Sequence, residues 1–337
     1  MDTIFSLVDS CMFYPSITTT LILSFVDNSG SMDCFGDSSS EEEQENHETA
    51  RDESCGVCCF HQNTETSLLA HVRNSLKPSP TTNHSVDDYD DDAVVQRASD
   101  VLHAIDSFCI SRHWMMHIGP EKGGILIGAL SEAMSNKMKL SSSGQNIEPF
   151  IVVELGTYCG YASILMGKAM YQARRSATMN CHLFTTEINR SYAEIATEII
   201  QLSGLSDMIS VHQISYDGFD TDMVNVVRGA LEEYNQSQNN HQATPTIDFL
   251  FIDHDKDSYK SDLCRLEASG MICHRTRVVA DNVIFAGIDE YVSYVQQRKK
   301  AGIVETRTVP SKVEYSGVQD SVEYEDGIEI TDYLQNP

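Results

Sequence analysis

Two periodicities alternate along most of this chain. "PFIVVEL", "HLFTTEI", "ISVHQI", "IDFLFID" and "RVVADNV" are short apolar runs of strand length. Between them lie "YASILMGKAMYQA", "SYAEIATEIIQLSG", "DMVNVVRGALEEY", "SYKSDLCRLEASG" and "IDEYVSYVQQRKKAG", with apolar residues three and four apart, as on a helix face. Strand and helix in regular alternation predict a parallel sheet covered on both faces. The end of the chain, "IVETRTVPSKVEYSG" and "YEDGIEITDYL", reads as two antiparallel strands. Upstream, "TETSLLAHVRNSL" opens with Thr and Glu in capping positions. "SDVLHAIDSFCISRHW" puts Leu102, Ile105, Phe108 and Cys109 on one face. The expected fold class is α/β: a Rossmann-like, doubly wound, mostly parallel seven-stranded sheet with an antiparallel last strand and extra N-terminal helices.

Composition changes that picture at the N-terminal end. "NSGSMDCFGDSSSEEEQENHETARDES" cannot bury enough apolar surface to offset its ordering entropy. Residues 1–62 are therefore expected to be a disordered acidic extension, residues 63–337 the folded domain, and about 77–95 an acidic loop insertion within it. The start of the chain has no basic segment of the signal-peptide kind. Its apolar stretch "SITTTLILSFV" falls short of the ~20 residues that span a bilayer, so no transmembrane span is expected, though the patch leaves room for membrane association. The formal net charge of -27, from 50 acidic and 23 basic residues, argues against nucleic acid as a partner. Ten scattered cysteines suit reduced thiols in a cytoplasmic setting. "CGVCC" with His61 has the makings of a zinc ligand pair, but no second pair at zinc-finger spacing accompanies it.

Parallel sheets collect ligands at the carboxyl ends of their strands, and the chemistry-bearing residues lie there. "ELGTYCGY" follows the first strand, where Gly156 and Gly160 allow a tight turn and the next helix offers free N–H groups. The spacing is not the G-x-G-x-x-G of dinucleotide binders. Glu187 closes the following strand; an acid there can accept both hydroxyls of a ribose, or simply start a helix. Together the two predict an adenosine-containing cofactor. "IDFLFIDHDKDSYK" ends a buried strand in Asp253, His254, Asp255, Lys256 and Asp257, and "VVADNV" ends the next in Asp281 and Asn282. Two carboxylates and an amide oxygen at neighbouring strand ends suit magnesium; a solvated loop is the alternative. An EF-hand calcium loop fails, with Ser258 where its Gly belongs and Cys264 where its terminal Glu belongs.

These pieces, with "HWMMHIGPEKG", "TEINRSYA", "ADNV" and "SKVEY", resemble the catechol O-methyltransferase family in family order, from about Thr66 to the end. The resemblance implies an S-adenosylmethionine-dependent methyltransferase domain that uses Mg2+ and acts on a small-molecule catechol. It implies Asp253, Asp281 and Asn282 as metal ligands, Lys256 as general base, and Glu314 as the carboxylate holding the second catechol hydroxyl. Trp114 is implied as an aromatic wall of the acceptor site, where Lys256, Asn282 and Glu314 also stand. Glu187 matches the ribose acid. Met116, Ile118, Gly156 and Tyr158 match the lining of the cofactor's methionine part, and His254 a residue beside adenine. Glu154, Ala162, Ser163, Ile188, Ser215 and Asp253 complete the implied cofactor set.

The chemistry makes sense of these residue types. Methyl transfer is an in-line displacement from a sulfonium to an oxygen, and a cation that binds both catechol oxygens acidifies and orients them. No covalent intermediate is needed, so Cys159 reads as a packed turn residue.

Three positions depart from the family pattern. Asp255 stands where animal catechol enzymes carry a Trp, and "DHDKD" is nearer the "DADKD" of caffeoyl-CoA O-methyltransferases. Ala286 replaces a Pro of the catechol wall. Ala162 replaces a Ser that contacts the cofactor carboxylate, with Ser163 adjacent. Glu323, in a second "VEY", competes with Glu314. The alternatives are a caffeoyl-CoA-type enzyme for a bulkier phenylpropanoid catechol, or a non-catalytic binding protein of the same fold. A nicotinamide-dependent dehydrogenase is disfavoured by the missing dinucleotide fingerprint. A monomer is expected.

Overall fold

The computed structural model describes residues 63–76, 91–112, 115–140, 148–177, 179–215, 222–238, 244–316 and 322–337. Thr64–Pro337 form one compact unit. The expectations for residues 1–62, including "CGVCC" and the apolar N-terminal patch, lie outside the described residues.

Seven strands form one sheet: β1 (Phe150–Leu155), β2 (Cys181–Glu187), β3 (Ile209–Gln213), β4 (Phe249–Ile252), β5 (Arg277–Ala280), β6 (Val304–Lys312) and β7 (Glu325–Tyr333). Their order across the sheet is β3-β2-β1-β4-β5-β7-β6. β1 to β5 pair in parallel, and β7 runs antiparallel to both β5 and β6. The doubly wound, mostly parallel sheet expected from the sequence is therefore present, with β7 as the reversed strand.

Eight helices are described: α1 (Thr64–Ser75), α2 (Asp91–Ser111), α3 (Gly119–Leu140), α4 (Tyr161–Ala177), α5 (Arg190–Ser203), α6 (Met223–Ser237), α7 (Tyr259–Ala268) and α8 (Asp289–Lys300). The central strands are buried on both faces, and alternate side chains feed two cores. Phe150, Val152, Phe249 and Phe251 join the core beneath α1 to α5. Ile151, Val153, Leu250 and Ile252 join the one beneath α6, α7 and α8. Local signals set the helix ends. Asn189 caps α5 by accepting from Ser191 N and Tyr192 N, and Gly204 ends it at φ 78°.

Two helices differ from the sequence pattern. α2 begins at Asp91, eight residues before the stretch that carries its apolar face. Nothing in the pattern signals α3: Gly119, Gly123, Gly124 and Gly128 dilute its propensity, and a lysine sits on its buried side. Packing supplies what propensity lacks, through Leu126, Ala129, Leu130 and Met134.

The reversal at β7 positions the site. β6 runs with the parallel strands, so its end and the start of β7 both reach the carboxyl edge of the sheet. Glu314, just past β6, and Asp326, at the head of β7, thus arrive beside Asp281 and Asn282 at the end of β5. Among the described residues, no helix is long and apolar enough to cross a membrane.

Candidate active site

β4 and β5 are neighbours, which brings their terminal acids Asp253 and Asp281 to one edge. Asp281 is buried; its Oδ1 accepts from Lys122 Nζ at 2.8 Å and from Asn282 N at 2.8 Å, and its Oδ2 accepts from Lys122 Nζ at 2.9 Å. Lys122 Nζ also donates to Asp326 Oδ2 at 2.8 Å. Asn282 Nδ2 donates to that same Asp326 oxygen at 2.8 Å, which turns the amide oxygen of Asn282 away from Asp326. Lys256 Nζ donates to Asp253 Oδ1 at 2.7 Å and to Tyr259 Oη at 2.6 Å, and lies 4.9 Å from the Tyr259 ring centre.

Glu314 sits at the N-terminus of α3, where its Oε1 accepts from Lys122 N at 2.8 Å. The helix end supplies both the donor and a favourable dipole. Gly119 makes room: at φ 64°, a Cβ on it would lie 2.5 Å from Glu314 Cδ. The rival Glu323 is elsewhere, exposed and paired with Lys312.

Four carboxylates, Asp253, Asp281, Asp326 and Glu314, share this edge with two lysines, Lys122 and Lys256. Burial pushes the Glu314 carboxyl up to about 7, and the Lys122 N–H offsets only part of this. Burial also raises Asp281 and the nearby Asp253 charge adds to it, against the pull of Lys122. Asp326 is held below the usual carboxylate range: burial opposes this, but Lys122 and the hydrogen bonds from Asn282 and Phe285 prevail. The Lys122 ammonium is strengthened, since Asp281 and Asp326 together outweigh its burial. Carboxylate oxygens and an oriented amide oxygen are the ligand types a hard divalent cation takes, and Asp253, Asp281 and Asn282 are the residues that would hold one here. Among the described residues, no cluster of three or more His, Cys, Asp or Glu with metal-site geometry exists. This set has only two carboxylates and an amide.

The other half of the site surrounds the turn after β1. Gly156 adopts φ 99°, and a Cβ there would meet the Asp253 carbonyl oxygen at 2.5 Å, so β1 and β4 can close on each other only with glycine. Glu187 is buried, accepting from Tyr158 N and Asn189 N at 2.8 Å each on different oxygens, with the Ile188 N–H also directed at the carboxylate. Ser163 gives its hydroxyl to Glu154 and is fully buried, so its proton is committed inward. Ala162 is buried beside it, and the first-turn N–H groups of α4 are the donors left for an anion.

Burial pushes the Glu154 carboxyl up to about 8. Among the described residues, Glu154 Oε1, His254 Nδ1 and His117 Nε2 are buried without a hydrogen-bond partner. Orphaned polar atoms around one turn fit a polar ligand lodged there, as S-adenosylmethionine would be. His254 is otherwise fixed, its Nε2 2.9 Å from Asp262 Oδ2 and its ring stacked on Tyr259 at 5.2 Å. Ile118 is buried, Met116 and Ile188 are exposed, and Ser215 is half-buried just past β3. Trp114 lies outside the described residues. Asp255 is exposed, and Ala286 is half-buried.

Three residues here hold left-handed φ without being glycine: Tyr158 (47°), Asn282 (58°) and Tyr315 (57°). Such strain costs of order 1–3 kcal/mol each and gathers where geometry is constrained by function. Tyr158 is pinned by its hydroxyl on Glu65 of α1 at 2.8 Å, and Tyr315 by its hydroxyl on Asp106 of α2 at 2.7 Å. Sequence reasoning missed Lys122, Asp326 and Glu65. A lysine at a helix start and an acid in a strand carry no signal until the fold pairs them.

The chain is similar to known proteins. A family model described as O-methyltransferase matches residues 147–304. The chain is 32% identical over 223 residues to catechol O-methyltransferase B of Danio rerio, covering 66% of this chain and 70% of that one. It is 28% identical over 256 residues to catechol O-methyltransferase of Bos taurus, covering 76% and 80%. Among solved structures, the O-methyltransferase TomG of Streptomyces achromogenes superposes with a TM-score of 0.46 at 15% identity, covering 78% of this chain and 95% of that one.

Proposed function

The chain belongs to the catechol O-methyltransferase family of S-adenosylmethionine-dependent O-methyltransferases, and from that membership we propose that it methylates one hydroxyl of a catechol chelated by magnesium. The observation that carries this reading is the convergence of Asp253, Lys256, Asp281, Asn282 and Glu314 on the carboxyl edge of β4, β5 and β6. A binding module has no need of that set.

When bound, S-adenosylmethionine supplies the methyl group and magnesium supplies the positive charge that acidifies a catechol hydroxyl. Asp253, Asp281 and the Asn282 amide oxygen are the groups that would hold the ion. In its uncharged amine form, Lys256 Nζ, placed beside Asp253 and Tyr259, takes the proton from the attacking hydroxyl. Glu314 accepts a hydrogen bond from the second hydroxyl, so one oxygen faces the methyl carbon and the other does not. Glu187 accepts the ribose hydroxyls, and the first turn of α4 receives the cofactor's carboxylate. The thiol of Cys159 is buried and its pKa raised far up by that burial, in keeping with a packing role.

A second reading, a bulkier phenylpropanoid catechol, is favoured by one feature: Asp255 is exposed and puts no aromatic wall on its side of the site. The test is a mass-spectrometric methylation assay with simple and bulky catechols, with magnesium and with EDTA. Product that needs magnesium supports the reading, and the acceptor panel separates its two forms. Full turnover by Asp281→Ala would sink the metal assignment.

A further inference from the structure

Asp326 is fully buried, and among the described residues each of its hydrogen-bond partners is a donor. Its Oδ1 accepts from Phe285 N at 3.1 Å, and its Oδ2 from Lys122 Nζ and Asn282 Nδ2 at 2.8 Å each. An ionised carboxylate can only accept, so the end of the Asn282 amide that faces it must be the NH2. A cation can take only the other end. Flipping the amide would set its oxygen against a carboxylate and its NH2 against the cation, unfavourable on both sides. The left-handed φ of 58° at Asn282 fixes the backbone from which this amide projects.

Resting on the metal site proposed above, we propose that Asp326 is a positioning residue for the divalent cation: it locks the amide of Asn282 with the oxygen outward. Lys122 bonds Asp281 and Asp326 alike, which fixes the Asp326 carboxylate beside that amide.

The test is Mn2+ binding to the full chain, read from the electron paramagnetic resonance signal of the free ion, without cofactor or acceptor. Asp326→Asn, Asn282→Ala and the double variant complete a cycle, with S-adenosylmethionine affinity measured on each. Outer-shell partners of metal ligands are worth about 10- to 100-fold in affinity, so D326N should weaken Mn2+ by about that factor and leave cofactor affinity unchanged. Since Asp326 acts through Asn282, its effect should vanish in the N282A background. An unchanged Mn2+ affinity in D326N overturns the proposal. So does full additivity in the cycle, which would make Asp326 an independent ligand, and so does a matching loss of cofactor affinity, which would mark a general disturbance. Should D326N fail to fold, Asp326→Ser gives the same reading with a smaller side chain. Wild-type protein that binds no Mn2+ would overturn the metal site itself, a failure visible before any variant is made.

Discussion

Lys122 sets its ammonium 2.8 and 2.9 Å from the two carboxylate oxygens of Asp281, with both residues almost wholly buried. The same residue gives its backbone N–H to Glu314. One position on α3 therefore holds both a proposed metal ligand and the proposed acceptor carboxylate. Breaking a buried pair by removing one partner costs about 3–5 kcal/mol, because the other charge is left uncompensated. Lys122→Met leaves two such charges, Asp281 and Asp326. Its unfolding free energy, from urea titration, should fall by at least that range. An unfolding midpoint equal to wild type would mean that the ammonium carries no weight in the fold.

Gly119 serves the same junction sterically. Its φ of 64° disfavours any side chain, and a Cβ would overlap the Glu314 carboxyl. Gly119→Ala should move Glu314 from the helix N-terminus and loosen its hold on the acceptor. A hydrogen bond to a charged group is worth about 1.5–3 kcal/mol, so KM for a catechol should rise roughly 10- to 100-fold. S-adenosylmethionine affinity, read by calorimetry, should fall by less than the acceptor's, because only Met116 and Ile118 of the implied cofactor set adjoin Gly119. A KM that does not move would separate Glu314 from acceptor binding.

Glu154 gives the protein a pH signature. Its carboxyl is pushed from 4.5 to about 8 in the folded chain by burial. Between those values the folded state holds a proton that the unfolded chain has lost. Its contribution to stability is therefore complete below pH 4.5 and is lost as pH rises through about 8, at up to about 1.4 kcal/mol per pH unit. Glu154→Gln keeps the shape and removes the titration. Melting temperatures of the cofactor-free protein from about pH 5 to 8 should decline more steeply in wild type than in E154Q. Parallel curves would refute the assignment.

The parts of this protein that are legible in the sequence are those where one segment carries its own signal. β1, β2, β4 and β5 announce themselves as apolar runs, because a strand buried on both faces needs no alternation. Asp253 and Asp281 stand out because each ends such a run. What cannot be read is what long-range pairing decides. α3 is rich in glycine and owes its helix to packing, and Lys122 becomes informative only when it meets Asp326, 204 residues away. The antiparallel end of the chain is legible, and Glu314 with it; that the reversal of β7 also delivers Asp326 to the same edge is not.

Asp255 supplies the sharpest test of the acceptor. It is exposed at the head of a short 3-10 turn (Lys256–Ser258), and its side chain accepts from Ser258 Oγ at 2.9 Å. Lys256, the proposed base, is the next residue. The family resemblance implies a Trp at this position, which here is a charge facing water. Restoring the ring with Asp255→Trp should give a small catechol a flat surface to rest on. Aromatic pairs contribute about 0.5–1.5 kcal/mol beyond area burial, so KM for catechol should fall roughly 2- to 10-fold. The substitution gives up the exposed hydrogen bond from Ser258, which weighs little on stability. Since Asp255 moves no proton, kcat should stay within about 2-fold of wild type, under ~0.5 kcal/mol in barrier. The same variant should gain nothing, or lose, on a bulkier phenylpropanoid catechol, whose extra length would meet the new ring. If instead D255W leaves KM for both acceptors unchanged, position 255 lies outside the acceptor site. The open wall would then have to be sought around Ile284 and Ala286.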